Sequence, residues 1–261
     1  VHRKSFLWFF NIYNENLVDD SLLDLFFQGL NPIKTEHNLI RIGDESDGGY
    51  LLPNDLDGIN FCFSPGVSDN SNFEKELYDN FNIKSFLCDY SVNGPAIECD
   101  GFSFEKKYLA SFNYDNFFTL EKWMNNCKYS GDLLFQMDIE SYEYQVLIET
   151  NINILKRFRI LLIEFHNFDS IFSQSGYMMI KGVFDKLKEE FDIVHIHPNN
   201  YGRVFSKKKY KIPEVMEFTF LRKDRSKNKI NNVFFPHNLD IKNNKYSKEI
   251  YLDNTLFNNK I

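Results

Sequence analysis

Short apolar runs alternate with amphipathic stretches between Ile59 and Leu221. The runs have the length and the Phe, Ile and Val content of buried strands. The stretches between them repeat apolar residues at intervals of three and four, as helices with one buried face do. Because strands that alternate with helices usually form a parallel sheet, the pattern predicts an α/β fold with a mostly parallel central sheet and helices on both faces.

The same pattern predicts bounds for the individual elements and for three regions. The predicted strands are Ile59–Phe63, Ser85–Tyr90, Asp132–Asp138, Arg159–Phe165, Ile193–His197 and Val215–Leu221. The predicted helices are Leu17–Phe27, Phe73–Phe81, Phe117–Cys127, Tyr142–Leu155 and Tyr177–Phe191. We expect a helical segment over residues 1–37, one α/β domain over 38–222, and a Lys- and Asn-rich tail over 223–261 that packs partly back.

Composition and charge exclude several classes of function. A net charge of −7 and a pI near 5.4 argue against nucleic acid as a partner, because phosphate binding needs a clustered basic surface. No stretch reaches the roughly 20 apolar residues of a membrane span. The four cysteines form no C-x-x-C pair, and Cys62 and Cys88 fall in predicted strands, so we interpret them as core thiols in a reducing compartment.

Three consecutive predicted strands end at or beside a carboxylate, namely Asp89, Asp138 and Glu164. Ligands of open α/β sheets bind in a crevice outside the carboxyl ends of the strands. The three acids, together with His166 after the fourth strand, are therefore the candidate functional cluster. Its chemistry is either oxygen ligation of Mg²⁺ or Mn²⁺, or a histidine base oriented by a carboxylate.

The first strand-to-helix turn limits which nucleotide the crevice could take. It runs through Ser64, Pro65 and Gly66 and has one glycine, where a pyrophosphate-binding turn needs several. A single glycine that allows close approach, followed by Asp89 as an acceptor for a ribose diol, fits a nucleoside without a pyrophosphate. S-adenosylmethionine is the common donor of this kind.

Several segments together resemble the FkbM-type methyltransferases. The main one runs from Gly131 to Leu147 and includes the acid pair Asp138 and Glu140; the others are Arg41–Leu52, Phe63–Leu77, Ile163–His166 and Phe235–Asp240. The resemblance spans roughly residues 41–240. This chain departs from the family pattern at Gln136, where a Lys is customary, and at Ser141, where a Gly is customary.

The resemblance implies a Rossmann-like class I methyltransferase fold and S-adenosylmethionine-dependent O-methylation of a sugar hydroxyl in a surface glycan or its precursor. It implies His166, Asp138 and Glu164 as catalytic residues, with Asp138 and Glu164 as ligands if Mg²⁺ or Mn²⁺ is used. The implied donor-binding residues are Asp47, Gly49, Tyr50, Ser64, Pro65, Gly66, Asn72, Asp89, Asp138, Ile139 and Glu140. A cytosolic donor predicts a cytoplasmic protein, and a chain that begins at Val1 fits a piece of a larger multidomain glycan-synthesis polypeptide.

Two other functions stay open on the sequence. One is a non-catalytic adenosyl-binding or glycan-assembly module, since Gln136 and Ser141 depart from the pattern; the other is a metal-dependent glycosyltransferase with Asp138 to Glu140 as its metal motif. His195 and His197 share a strand face and could in principle bind a metal, but we prefer hydrogen-bonded imidazoles in a strand. We interpret Lys207–Lys209 as a solvated loop.

Overall fold

A computed structural model describes residues 16–230 and 233–257, in which thirteen strands and seven α-helices are assigned. The strands are β1 (Leu39–Gly43), β2 (Gly49–Pro53), β3 (Ile59–Pro65), β4 (Lys84–Cys88), β5 (Phe102–Glu105), β6 (Tyr108–Leu109), β7 (Phe117–Phe118), β8 (Asp132–Met137), β9 (Phe158–Phe165), β10 (Phe191–Pro198), β11 (Val204–Lys207), β12 (Tyr210–Pro213) and β13 (Met216–Arg222). The helices are α1 (Asp20–Gln28), α2 (Asn72–Phe81), α3 (Leu120–Asn126), α4 (Glu143–Glu149), α5 (Ile152–Leu155), α6 (Gln174–Glu190) and α7 (Asn254–Phe257).

Seven strands form the central sheet in the order β10-β13-β9-β8-β3-β4-β5. The pairs from β9 to β5 are parallel, whereas β13 is antiparallel to both of its neighbours, β9 and β10. The strand order reverses direction between β3 and β8, which is the switch point where α/β sheets bind ligands. The predicted α/β architecture is confirmed: a mostly parallel, Rossmann-like central sheet has helices packed on both faces.

Alternating residues of the central strands build two cores, one on each face of the sheet. On β9, Leu161 and Ile163 face the core that contains α1, α6 and the C-terminal residues, while Ile160 and Leu162 face the core beneath the β1–β2 hairpin and α2. A strand that is buried on both faces needs a continuous apolar run, which is why the β9 segment gave the clearest strand pattern in the sequence.

Three predicted helices have different bounds or character in the structure, and one strand of the central sheet is new. The helix predicted from Phe117 begins only at Leu120, because Thr119 accepts a hydrogen bond from the Lys122 amide and caps it, while Phe117–Phe118 is a short strand. The helix predicted over Tyr142–Leu155 is two helices, since Asn151 caps the second one. The first helix begins at Asp20 instead of Leu17, and the edge strand β5 was not predicted.

The last described residues pack against the domain, as expected for a tail that folds back. Phe257 of α7 lies 5.6 Å from Phe27 of α1 between ring centroids, and Phe235 and Leu252 are buried in the same core. Lys208 and Lys209 form an exposed turn between β11 and β12, as predicted, whereas Lys207 is the last residue of β11. Lys207 and Lys208 pair with Asp20, and Lys209 pairs with Asp24, so ion pairs link this turn to α1. In the described part of the chain, no helix has the length and apolar character to cross a bilayer.

Candidate functional site

A cavity of about 500 Å³ opens at the carboxyl ends of β3, β4 and β8. It lies beside the switch point of the sheet, where the strand-end acids were expected to meet. Its lining residues are Gly66, Ser68, Cys88, Asp89, Ser91, Lys107, Tyr108, Leu109, Phe117, Asp138, Ile139, Glu140 and Tyr142. Five predicted site residues therefore line the same cavity: Gly66, Asp89, Asp138, Ile139 and Glu140. The volume of the cavity suits a ligand of nucleoside size.

Gly66 is required where β3 runs into the cavity. Its φ of +85° is in the left-handed region, and a Cβ built on it would lie 1.5 Å from the backbone oxygen of Asp138. The β3 and β8 turns therefore touch backbone to backbone, which only glycine permits. This contact places the ends of the two strands against the same ligand volume.

The Asp89 carboxylate is fixed at the end of β4. Its Oδ1 accepts hydrogen bonds from the amide and the hydroxyl of Ser91, both at 2.7 Å, and its Oδ2 accepts one from the Ser68 amide at 2.9 Å. A carboxylate has about four acceptor positions, so one remains after these three bonds. A buried acid oriented in this way can accept from a ligand hydroxyl in the cavity.

His166 is oriented by a buried glutamate. Its Nδ1 lies 3.1 Å from Oε1 of Glu143, which also accepts from the Ile139 and Ser141 amides and so fixes the loop after β8. The Nε2 of His166 then faces three carboxylates: Glu140 at 3.4 Å, Glu164 at 3.6 Å and Asp138 at 3.8 Å. The predicted trio of Asp138, Glu164 and His166 is thus brought together.

The crowding of these acids changes their protonation. Burial raises the pKa of Asp138 to about 7, with the positive charge of His166 opposing and the charges of Glu140 and Glu143 adding to the rise. Burial also raises the pKa of Glu164 well above its usual range, helped by Asp138 and Glu217. Burial lowers the pKa of His166, but the hydrogen bond and the charge of Glu143 outweigh it, so the net shift is upward. Such a cluster can hold and move a proton near neutral pH.

The other predicted donor-binding residues lie behind this cavity and do not line it. Ser64 is buried and hydrogen-bonds Glu74 and Gln136, Tyr50 accepts from the Gln136 side chain at 3.1 Å, and Pro65 is bonded through its carbonyl to the Asp138 amide. Asp47 accepts from Asn199 and Asn243, Asn72 donates to Asp44, and Gly49 is packed against the Asp44 carbonyl. These residues support the turn and the hairpin around the cavity.

The sequence did not indicate a role for Glu143 or for the segment from Lys107 to Phe118, which contains β6 and β7 and is called the β6–β7 arm. Glu143 is part of the segment that carries the FkbM resemblance, so a signal for it existed. Lys107, Tyr108 and Phe117 line the cavity from β6, β7 and their flanks, but no local pattern indicates that this arm reaches over the end of β4. Tyr108 and Phe117 are stacked with ring centroids 5.4 Å apart.

The cluster also has the donor set of a cation site. Asp138, Glu140 and His166 each offer one ligand atom, and these atoms all lie within 4.8 Å of one another. The sequence predicted Asp138 and Glu164 as the metal ligands, whereas the set of converging ligand atoms contains Glu140 and not Glu164. Two carboxylates and one imidazole suit Mn²⁺ better than Mg²⁺, which prefers an all-oxygen shell.

The sequence matches no known family description and no curated protein. Among solved structures it is similar to precorrin-6y C5,15-methyltransferase from Geobacter metallireducens GS-15, at 8% identity and a TM-score of 0.36, over 64% of this chain and 84% of that one. It is similar to a Methanococcus jannaschii fibrillarin, a pre-rRNA processing protein, at 10% identity and a TM-score of 0.40, over 72% and 83% of the two chains. A third is the plantazolicin methyltransferase BpumL in complex with SAH, at 12% identity and a TM-score of 0.32, over 62% and 76%.

Proposed function

We propose that the protein is an S-adenosylmethionine-dependent methyltransferase that acts on a hydroxyl oxygen, with a sugar of a surface glycan or its precursor as the acceptor. The observation that carries the proposal is the pairing of Gly66 with Asp89 at the switch point of the sheet. Gly66 lets the ends of β3 and β8 meet at the cavity wall, and Asp89 presents an oriented carboxylate to a diol in the same cavity. A cavity with one glycine and no lysine-bearing phosphate loop favours a nucleoside that lacks a pyrophosphate.

The donor would supply a methyl group on a sulfonium cation. Asp89 would accept from the ribose hydroxyls, and the turn at Gly66 would lie against the amino-acid part. Ile139 and Glu140 line the wall beside it. The residues behind the cavity, Asp47, Gly49, Tyr50, Ser64, Pro65 and Asn72, would act as support for these walls. Holding the donor and the acceptor hydroxyl in line is the main catalytic task in such a displacement.

His166 would remove the proton from the acceptor hydroxyl. Its Nδ1 bond to Glu143 leaves Nε2 to accept that proton as the new C–O bond forms and the methyl C–S bond breaks, with the electron pair leaving on the sulfur of S-adenosylhomocysteine. The surrounding carboxylates would stabilise the resulting imidazolium. Asp138 and Glu164 are then positioned to receive or share the proton. The alternative is Mg²⁺ or Mn²⁺ on the strand-end acids, which would lower the pKa of the hydroxyl.

Aromatic side chains beside the cavity support a sugar acceptor. The rings of Tyr90, Tyr108, Phe117 and Phe112 follow one another with centroid distances of 5.2, 5.4 and 5.2 Å, and Tyr90, Tyr108 and Phe112 are exposed. Aromatic faces pack well on the C–H faces of sugar rings. The net charge of −7 makes a polyanionic acceptor such as nucleic acid a poor fit.

Calorimetric titration of S-adenosylhomocysteine tests the donor site. We expect wild type to bind and Asp89→Ala to bind at least about tenfold more weakly, because hydrogen bonds to a charged group contribute about 1.5–3 kcal/mol. Asp79→Ala, an exposed acid paired with Lys75 on α2, is the matched control and should bind as wild type does. Equal affinity of wild type and Asp89→Ala would refute the Asp89 assignment.

Three further outcomes separate the rival functions. A nucleotide-diphosphate sugar that binds with Mn²⁺ while S-adenosylhomocysteine does not would favour the glycosyltransferase. Donor binding without methylation of any glycan acceptor would favour the non-catalytic module. For the enzyme, mass spectrometry of the host glycan should show methylated sugars with wild type, and His166→Ala should keep donor affinity but lose turnover by about 10²-fold or more.

A further inference from the structure

Three buried side chains outside this cavity converge on one point. His195 and His197 lie on β10, and Asp240 lies in the C-terminal segment that packs over that strand. The Nε2 of His195 is 2.9 Å from Oδ1 of Asp240, and the Nδ1 of His197 is 3.6 Å from the same oxygen. The two imidazoles lie on one face of the strand with an angle of 19° between their planes.

The converging atoms make no hydrogen bond within the described part of the chain. Both ring nitrogens of His195, Nδ1 of His197 and Oδ1 of Asp240 are buried without such a partner. The expectation that these imidazoles are hydrogen-bonded was therefore wrong for His195. Buried polar atoms in native proteins nearly always have a partner, which is a protein atom, a water or an ion.

The outward-facing atoms of the same groups are, in contrast, held in place. Asp240 accepts from the His237 amide through Oδ2 at 2.7 Å. Nε2 of His197 lies 3.2 Å from Oδ1 of Asn243, whose amide nitrogen donates to Asp47 and Glu217, so the ring must carry its proton on Nε2. In the neutral ring, Nδ1 of His197 then has its lone pair available, 3.6 Å from Oδ1 of Asp240, which is the arrangement of a metal-ligating histidine whose other nitrogen is hydrogen-bonded.

A simple ion pair explains the geometry less well. A protonated His195 would align its N–H with the Asp240 carboxylate, yet the 2.9 Å contact between them lacks hydrogen-bond alignment. Ligand atoms around a tetrahedral Zn²⁺ are separated by about 3.3 Å, given metal–ligand distances of about 2.0–2.2 Å. The observed separations of 2.9 and 3.6 Å bracket this value.

We propose that His195, His197 and Asp240 form a site for a divalent transition metal, with Zn²⁺ as its principal ion. Two imidazole nitrogens and one carboxylate oxygen are a common zinc donor set, and they leave a fourth position for water or another ligand. Because two ligands are on β10 and the third is in the tail, the bound metal fastens the tail to the edge of the sheet.

The site is also joined to the candidate active site by hydrogen bonds. Asn243 bonds both His197 and Asp47, Asp47 accepts from Asn199, and Asn199 donates to Glu164 at 3.2 Å. The metal therefore anchors one end of a buried polar chain whose other end is Glu164. The metal proposal itself does not depend on methyl transfer, since its evidence is the ligand geometry alone.

Metal binding to the full chain tests the proposal without any donor or acceptor. After removal of metal with a chelator, titration with Zn²⁺ should give one tight site per chain, and Co²⁺ should give the visible absorption bands of a low-symmetry nitrogen and oxygen site. His195→Ala and Asp240→Asn should each weaken this binding by about 10–1,000-fold. His37→Ala, which removes a half-buried imidazole bonded to the Arg225 carbonyl, is the control and should bind as wild type does.

The His166→Ala variant distinguishes this site from the cluster at Asp138. Loss of Zn²⁺ binding in that variant, with retention in His195→Ala, would overturn the proposal, as would absence of any tight site in wild type. A measurement on wild type alone covers the case in which the β10 variants fold poorly. Zn²⁺ should raise the melting temperature and slow tryptic cleavage after Lys242 and Lys245, and unchanged cleavage would contradict a metal that fastens the tail.

Discussion

Glu74 is a buried acid whose protonation state follows from the hydrogen bonds of its neighbours. It contacts the Ser64 hydroxyl, which also lies 2.6 Å from the side-chain oxygen of Gln136, and the Gln136 amide donates to Tyr50. Ser64 has a single proton to give. If Ser64 donates to Gln136, then Glu74 must itself donate to Ser64, so the chain of bonds is complete only when Glu74 is protonated. Burial accordingly raises the pKa of Glu74 to about 7.

Glu74→Gln should change how stability depends on pH. The pKa is about 7 in the folded protein and 4.5 in the unfolded reference, so the folded state holds this proton more tightly. The contribution of Glu74 to stability is therefore complete below pH 4.5, is lost between pH 4.5 and 7, and is absent above pH 7, a difference of about 3 kcal/mol. Glutamine keeps a donor for Ser64 but cannot ionise.

Urea denaturation of wild type and Glu74→Gln at several pH values measures this difference. We expect the variant to gain stability relative to wild type as pH rises from 4.5 to 7 and to differ by a constant amount above that. A difference that is flat across this range would show that Glu74 ionises normally.

The two departures from the FkbM pattern have physical meanings that the sequence alone did not reveal. Ser141 has a φ of +86°, in the region that favours glycine, and so occupies the backbone position for which the customary Gly is suited. Gln136 joins the chain from Glu74 to Tyr50, where a customary Lys would bring a positive charge. The sequence shows that a serine and a glutamine stand at these positions, but it does not show the backbone conformation of Ser141 or the hydrogen-bond partners of Gln136.

At the scale of elements, the contact between the ends of β3 and β8 depends on Gly66. Gly66→Ala should lower the free energy of unfolding by about 2–4 kcal/mol, because its Cβ meets the Asp138 carbonyl and its φ is positive. Donor binding should fall with it. Gly94→Ala, where a Cβ meets nothing within 4 Å, is the control, and a similar loss in both variants in denaturation would contradict the close-contact argument.

In helix α6, one glycine-to-alanine substitution should stabilise the protein. A Cβ at Gly182 meets no atom within 4 Å, so Gly182→Ala should stabilise the protein by about 0.5–1 kcal/mol through helix propensity. Gly176 in the same helix lies against Ser170, and Gly176→Ala should destabilise it. Thermal unfolding of both variants checks the pair, and a destabilising Gly182→Ala would mean that this face of α6 is not open.

Elements with a strong periodic pattern were predictable, and elements defined by their neighbours were not. The β9 strand and the α6 helix were anticipated within a few residues, because each carries its own apolar pattern. The β5 strand has only partly buried and exposed residues and exists because β4 offers it an edge. The antiparallel placement of β13 between β9 and β10 likewise follows from the assembled sheet and from no local signal.

For the molecule as a whole, the last described residues of the tail are part of the core. Phe257 contacts Phe27 and Phe235, each with 5.6 Å between ring centroids, and is 1% exposed. Phe257→Ala should therefore destabilise the protein by about 3–5 kcal/mol in denaturant unfolding. Tyr246→Ala, at a fully exposed residue of the same tail, should change stability by less than about 0.5 kcal/mol. Equal effects would mean that the tail does not pack as described.

The composition of the tail predicted only part of how it packs. A tail rich in Lys and Asn was expected to pack partly back, but its buried residues are isolated in sequence, and α1, the partner of α7, lies far away along the chain. The candidate site was predicted better, because strand ends of a parallel sheet must meet at one edge. The position of the β6–β7 arm over that edge required the assembled fold.

The place of β13 in the sheet has a consequence for how the chain is made. β10 has β13 as its neighbour in the sheet and does not pair with β9, although β13 is synthesised after both. While the ribosome is still translating the residues before Met216, the edge of β9 has no partner, and an open edge is a template for pairing with other chains. The interval between the emergence of β9 and that of β13 is thus the period in which a nascent chain most needs a chaperone.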